Sequence, residues 1–306
     1  MNSVIHNFAA IDIGSNAIRL LIYNIYLDLN NEPVFKKVAL TRVPIRLGED
    51  AFVTNYISDE KIEKLKKAMI AFKNLIEVHE VIAYKACATS AMREAKNAAE
   101  VVKKIKAVSG IEIDVIDGGA EADLIYNNHI AEKMSDSKAY LYIDIGGGST
   151  EITLFYKGRK HYSESFNIGT VRMLHDKVDP DEWNRLKNKC SELNILYKNI
   201  IGIGSGGNII KLQKLTEESE EKPFSRSRLK DIYKDLKSIS YEDRMRKYGM
   251  NADRADVIIP ASEILLHITK YAEIKSIFVP KIGLSDGIIH KLYDEYLQKD
   301  TDLLKK

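Results

Sequence analysis

The 306-residue sequence predicts an α/β protein built as two similar lobes. Three observations carry that expectation. Ala10-Ile11-Asp12-Ile13-Gly14-Ser15-Asn16-Ala17-Ile18-Arg19-Leu20 and Tyr142-Ile143-Asp144-Ile145-Gly146-Gly147-Gly148-Ser149-Thr150-Glu151-Ile152 follow one plan: apolar strand, Asp, Gly/Ser turn, second apolar strand. After each hairpin the same order of further strand, helix, strand and helix recurs. The length also suits two domains.

In the first lobe, strands are expected at Phe8–Ile13, Arg19–Tyr26, Val34–Leu40 and Val43–Leu47. Ser58 reads as a helix N-cap, with Asp59, Glu60 and Glu63 in or near the first turn. Ile62, Leu65, Met69, Phe72, Leu75 and Ile76 then form one apolar helical stripe. Val81–Ala88 reads as a strand. Thr89 and Ser90 mark its turn into a helix running to about Val108, which places Arg93 in the early turns of that helix. Ile111–Ile116 is a strand, broken by Gly118-Gly119, and Ala120–Glu132 is helical.

The second lobe opens with strands Tyr140–Ile145, Glu151–Tyr156 and Lys160–Asn167. Gly169–Asp176 starts a helix. Asp179-Pro180-Asp181-Glu182 is a strong helix start, with a cap, a first-turn Pro and acids at the positive dipole end. Strand Ile200–Ile203 runs into Gly204-Ser205-Gly206-Gly207-Asn208 and helix Ile209–Leu215. Thr216–Lys222 is a polar loop. Arg226–Lys237, Tyr241–Lys247 and Ala255–Tyr271 read as helices, Ser276–Val279 as a strand, and Ile288–Leu297 as the last helix.

A formal net charge of +2 argues against general nucleic-acid binding. No apolar run approaches the roughly 20 residues of a membrane span. Met1–Asn7 lacks a basic stretch followed by an apolar one, so no secretory signal is expected and the cytoplasm is the expected compartment. Cys87 and Cys190 are too far apart for a metal motif and read as buried, reduced thiols. The histidines show no ligand spacing, and His129 reads as a surface or interlobe residue. No Gly-x-Ser-x-Gly elbow is present. Gly204–Asn208 is not followed by the Gly-Lys-Ser/Thr of a phosphate-binding P-loop.

The duplicated turns carry the chemistry. Glycine has no Cβ to block a close approach, so Gly14, Ser15, Asn16, Gly146, Gly147, Gly148 and Ser149 can offer backbone N–H groups to phosphate oxygens. Asp12 and Asp144 at the strand ends, with Glu151, are of the type that holds hydrated Mg²⁺. Asp is also common at strand–turn junctions. Arg19 and Arg93 are cationic candidates for an anion; Arg93 could instead be a solvated helix residue paired with Glu94 or Glu100. Glu121 fits a general base, but its spacing alone fits better a first-turn acid stabilising its helix.

Five blocks in order, Asp12–Arg19, Ala88–Ala95, Gly118–Ile125, Asp144–Glu151 and Gly202–Asn208, resemble the exopolyphosphatase and guanosine pentaphosphate phosphatase family. Arg254–Pro260 and Leu284-Ser285-Asp286-Gly287 look like its later blocks. The resemblance covers about Phe8 to Tyr296, and longer members carry an additional C-terminal helical region. It implies two ribonuclease-H-like lobes of the actin-like, sugar-kinase-like ATPase superfamily with an active-site cleft between them. The lobes are expected at 1–123 plus 294–306 and at 124–293, with the last helix crossing back to the first.

The family's catalytic glutamate aligns with Glu121, and its phosphate tract with the two turns and with Gly206 and Gly207. The implied activity is Mg²⁺-dependent release of terminal phosphate from inorganic polyphosphate or guanosine pentaphosphate, with a homodimer as a possible assembly and neither nucleic acid nor membrane as partner. An ATP-dependent small-molecule kinase of the same superfamily, or a weakly catalytic polyphosphate- or nucleotide-binding regulatory protein, are the alternatives. Two departures stand out: Asp123 lies where many members carry Arg, and Ala261-Ser262 follows Pro260 where a Gly is common.

Overall fold

The computed structural model describes residues 5–126, 135, 137–216, 222–280 and 283–303. Residues Met1–Asn128 with Leu284–Lys306 form one compact unit, and His129–Gly283 form another.

The first unit contains β1 (His6–Ile13), β2 (Ile18–Leu27), β3 (Pro33–Val43), α1 (Leu47–Val53), α2 (Asp59–Val78), β4 (Ala83–Ala88), α3 (Ser90–Glu94), α4 (Ala98–Ser109), β5 (Ile113–Val115) and α5 (Gly118–Tyr126). Its sheet has the order β3-β2-β1-β4-β5. β1, β2 and β3 are joined antiparallel, and β4 and β5 add in parallel.

The second unit contains β6 (Ala139–Ile145), β7 (Thr150–Tyr156), β8 (Arg159–Phe166), α6 (Thr170–Leu174), α7 (Pro180–Tyr197), β9 (Ile201–Ser205), α8 (Gly207–Leu215), β10 (Phe224–Ser225), α9 (Arg226–Ser238), α10 (Tyr241–Tyr248), α11 (Ala252–Ala255), α12 (Ile258–Tyr271) and β11 (Ser276–Phe278). Its sheet order, β10-β11-β9-β6-β7-β8, is the first sheet's order with β10 added beyond β11. Three antiparallel strands followed by parallel crossovers make each unit ribonuclease-H-like. Asp12 and Asp144 occupy the same step of the two sheets, beside Cys87 and Ser205 on the neighbouring parallel strands.

α13 (Leu284–Leu303) belongs wholly to the first unit. Leu284, Ile288, Ile289 and Tyr293 bury one face against Phe8, Ala10, Leu21 and Ile25 of the sheet and Leu124 of α5. Tyr23 Oη donates to Asp286 Oδ1 at 2.5 Å, and Lys37 Nζ lies 2.7 Å from the same oxygen. Burial, followed by the Asp286 charge, raises the Tyr23 pKa, so the phenol keeps the proton it donates. These contacts put the unit boundaries at 128 and 284, where the sequence suggested 123 and 294. In the second unit, Leu141, Ile143, Ile152 and Leu154 pack against Leu186 and Leu193 of α7, Leu229 of α9 and Ile264 and Ile268 of α12.

Several elements depart from expectation for identifiable reasons. Val43–Leu47 is not a strand: Pro44 brings no N–H to a ladder, and Leu47, with Ala51 and Phe52 buried, begins α1. The helix expected from Ser90 to Val108 is two helices. Ala95 is extended, and the Asn97 side-chain amide both accepts from Ile57 N at 2.9 Å and donates to Ile57 O at 2.8 Å, which holds the break. Ala255–Tyr271 is likewise divided, because Pro260 is tolerated only in the first turn of α12. α5 starts at Gly118, capped by Asp117, whose Oδ1 accepts from Ala120 N at 2.8 Å. The Ser58 cap holds, as does that of Asp179. The expected continuation of α5 to Glu132, with His129, and most of the 216–222 loop lie outside the described residues. Among the described residues, no helix is long and apolar enough to cross a membrane.

Candidate active site

The two hairpin turns are built alike and are held from behind. In the second unit, Gly146 N donates to Ser149 O at 2.9 Å and closes the turn. Its carbonyls are then taken in sequence by the segment entering α6. Thr170 N donates to Gly146 O at 3.0 Å, Val171 N to Gly147 O at 2.8 Å, and Arg172 Nε to Gly148 O at 2.6 Å. Thr150 Oγ1, at the start of β7, donates to Ile168 O at 2.6 Å. Gly169 lies so close that a Cβ there would sit 2.4 Å from Gly147 O.

In the first unit, Gly14 N donates to Ala17 O at 3.2 Å, and the carbonyls of Ser15 and Asn16 accept from Gly48 N at 2.8 Å and Arg46 N at 2.9 Å. Arg46 holds a left-handed conformation, φ 60°, to make that approach, a geometry that costs a non-glycine residue. Ser15 Oγ and Ser90 Oγ are 2.9 Å apart.

A trans peptide points its C=O and N–H in opposite directions. With the carbonyls of Gly146, Gly147 and Gly148 turned toward α6, the N–H groups of Gly147, Gly148 and Ser149 face away from it. Among the described residues these amides donate to no protein acceptor. The second-unit turn is therefore a rigid set of convergent donors of the kind that binds a phosphate oxygen.

The strand steps beside the turns differ between the units. Asp12 stands opposite Arg19, and the pair is joined at 2.9 Å. Burial raises the Asp12 pKa, against the pull of Arg19. At the matching step of the second unit, Asp144 stands opposite Glu151. Two carboxylates thus share this step, where like charges directly opposite each other repel. Glu151 Oε1 accepts from Ser165 Oγ at 2.8 Å. Gly206, at φ +90°, caps α8 so close to the carboxylate that a Cβ would lie 2.8 Å from Asp144 Oδ1. The second unit thus gathers Asp144, Glu151, Gly146–Ser149 and Gly206, with Gly207 opening α8. Its carboxylate oxygens are the hard donors Mg²⁺ takes. Asp12 has one oxygen committed to Arg19 and fits a metal less well.

Glu121 lies buried in the first turn of α5, its N–H donating to Asp117 O at 3.0 Å. Burial pushes the Cys87 thiol up to about 12, and the charges of Asp114, Asp12 and Glu121 add to that against Lys85. Arg93 is placed differently from expectation. It lies in the last turn of the five-residue α3, and its Nη1 donates to Ile116 O at 2.9 Å, just before the Asp117 cap. A cation at that end suits the helix dipole.

Sequence reading placed a helix at Gly169–Asp176, where α6 lies, but missed that Gly169 and Arg172 brace the second hairpin turn. It also missed a basic cavity of about 220 Å³ lined by Lys211, Lys214 and Arg254. Burial, then the charges of Arg254 and Lys214, lower the Lys211 pKa.

Residues 28–296 match the model of the Ppx/GppA phosphatase family. The chain is 30% identical over 288 residues to a bifunctional 3-dehydroquinate synthase/phosphatase of Fusobacterium nucleatum, covering 86% of this chain and 43% of that one. It is 32% identical over 182 residues to exopolyphosphatase 2 of Mycobacterium tuberculosis, covering 56% and 55%. It therefore spans about half the length of these two relatives. The crystal structure of the Aquifex aeolicus Ppx/GppA family member superposes with a TM-score of 0.73 at 26% identity, covering 97% of this chain and 99% of that one. With the family model matching most of its length, and the fold matching along nearly all of it, the chain belongs to the Ppx/GppA phosphatase family.

Proposed function

We propose that this protein is a Mg²⁺-dependent phosphoanhydride hydrolase that releases orthophosphate from the end of inorganic polyphosphate or of guanosine pentaphosphate. The observation that carries the reading is the braced Gly146–Ser149 turn, whose free amides stand next to the opposed carboxylates of Asp144 and Glu151. Family membership and the relative named exopolyphosphatase support the substrate class.

In this reading the amides of Gly147, Gly148 and Ser149 bind oxygens of the terminal phosphate. Ser15, Asn16 and Arg19 are proposed as further phosphate ligands. Asp144 and Glu151 would hold Mg²⁺. Bound there, the ion would neutralise phosphate charge as the leaving oxygen departs. Glu121 takes a proton from water as its oxygen attacks phosphorus. The P–O anhydride bond breaks, and the shortened chain leaves with the electron pair. Preorganised donors and a positioned base are the main sources of rate in phosphoryl transfer. Arg93 supports Glu121 through Ile116 and the start of α5. Lys211, Lys214 and Arg254 offer positive charge to a long polyanion.

Phosphate release with Mg²⁺ from long polyphosphate, tripolyphosphate and guanosine pentaphosphate, measured side by side, tests the proposal. Turnover of at least one of them is expected. No release from any of them by the folded protein would reject it.

A further inference from the structure

We propose that Arg172 is a positioning residue that aims and polarises the Ser149 amide for the phosphate. The inference rests on the reading above, that the Gly146–Ser149 turn is the phosphate site.

The segment entering α6 braces the turn as a ladder. The backbone donors of Thr170 and Val171 go to the carbonyls of Gly146 and Gly147, and that of Arg172 also lies 3.3 Å from Gly147 O. The first N–H groups of a helix have no partners inside it, so they are available for this use. Gly148 O is the next acceptor, one peptide further along the turn. The ladder reaches it through a side chain, with Arg172 Nε at 2.6 Å. Arg172 is buried, only 7% exposed. A buried guanidinium is costly unless its donors are used. Here one is used on the peptide that carries the Ser149 N–H.

That shared peptide is what gives the bond its consequence. Fixing Gly148 O toward α6 fixes Ser149 N–H on the opposite side. A donor that carries a charge also polarises the peptide it binds, and hydrogen bonds in series strengthen one another. Ser149 N–H is therefore fixed in direction and becomes the most strongly polarised donor of the turn. In the first unit's turn the equivalent carbonyl, that of Asn16, accepts from a backbone N–H, that of Arg46.

The test compares wild type with Arg172→Lys and Arg172→Gln. It reads Tm, kcat and KM on tripolyphosphate, and the ¹⁵N–¹H shifts of Gly147, Gly148 and Ser149 during titration with tripolyphosphate. Both variants are expected to fold and to lose about 10–100-fold in kcat, less than one oxyanion-hole donor is worth, with KM changed far less. The Ser149 shift response should shrink more than that of Gly147, whose carbonyl brace is backbone. Folded variants with wild-type kcat, or a loss confined to KM, would overturn the assignment. If both variants fail to fold, wild type alone decides: a Ser149 amide unmoved by saturating tripolyphosphate rejects the role. If wild type binds tripolyphosphate but hydrolyses none of the substrates, the proposed activity fails, and the amide shifts still judge Arg172.

Discussion

Gly169→Ala probes the brace with a single methyl group. Gly169 has φ −137°, an extended conformation any residue adopts, so backbone strain does not enter. Sterics do. The new Cβ would stand 2.4 Å from Gly147 O and 2.4 Å from Gly148 C, both backbone atoms of the Gly146–Ser149 turn. Cβ contacts closer than about 3.0 Å essentially do not occur, so the turn must retreat by at least about 0.6 Å. Overpacking of this kind costs about 1–3 kcal/mol, or about 2–12 °C in the Tm of a unit this size. The activity loss should be larger than the stability loss suggests. A displacement near 1 Å can cost about 100-fold in rate, and here it falls on the donors themselves. Thermal melting and initial rates of phosphate release from tripolyphosphate, taken on the same preparation, give the comparison. A folded Gly169→Ala protein with wild-type kcat would refute the claim that this turn positions the phosphate.

Other outcomes follow from the same geometry. Asp144→Asn and Glu151→Gln should each raise the Mg²⁺ concentration needed for half-maximal rate, whereas Arg93→Ala should lower kcat without that shift; equal midpoints would reject the division of roles. Arg93→Ala should also lose about 0.5–1.5 kcal/mol from the Ile116 hydrogen bond, so a Tm at or above wild type would contradict the placement of its guanidinium. Asp50 is pushed up by burial, but hydrogen bonds from Ser58 and Lys61 outweigh this and hold its pKa below the ordinary 3.8. Such a carboxylate stabilises the fold above its unfolded pKa and loses that contribution as pH falls through the lower folded value. The Tm difference between wild type and Asp50→Asn should therefore be full above about pH 4 and vanish on further acidification; a difference independent of pH would exclude this ionic contribution.

The sequence was most readable where local pattern and tertiary need coincide. The two Asp-turn hairpins could be placed to within a residue or two, because paired apolar strands around a Gly/Ser turn have few other uses. The helix caps of Ser58 and Asp179 were legible because a cap acts over three residues. What escaped depends on partners distant in sequence. Nothing near Ala95 announces that Asn97 will pair with the Ile57 backbone and split a helix. α1 was hidden because Ile45 and Leu47 read as strand residues until Pro44 and the left-handed Arg46 are seen to turn the chain. Asp12 and Asp144 looked equivalent in sequence. Only the cross-strand register shows one facing Arg19 and the other Glu151, and so separates an ion pair from a pair of carboxylates. Arg172 was invisible for the same reason, since its bond to Gly148 spans 24 residues.

The most direct test of the account is the rate of phosphate release by Glu121→Gln relative to wild type, on whichever polyphosphate or guanosine pentaphosphate wild type hydrolyses at saturating Mg²⁺. The substitution keeps the shape of the side chain in the first turn of α5 and removes its basicity. A folded variant with an unchanged Tm and a kcat lower by about 10²–10⁴-fold is predicted, the usual contribution of a general base. A folded Glu121→Gln protein that releases phosphate at the wild-type rate would show that Glu121 only stabilises its helix, and the hydrolytic mechanism would have to be abandoned.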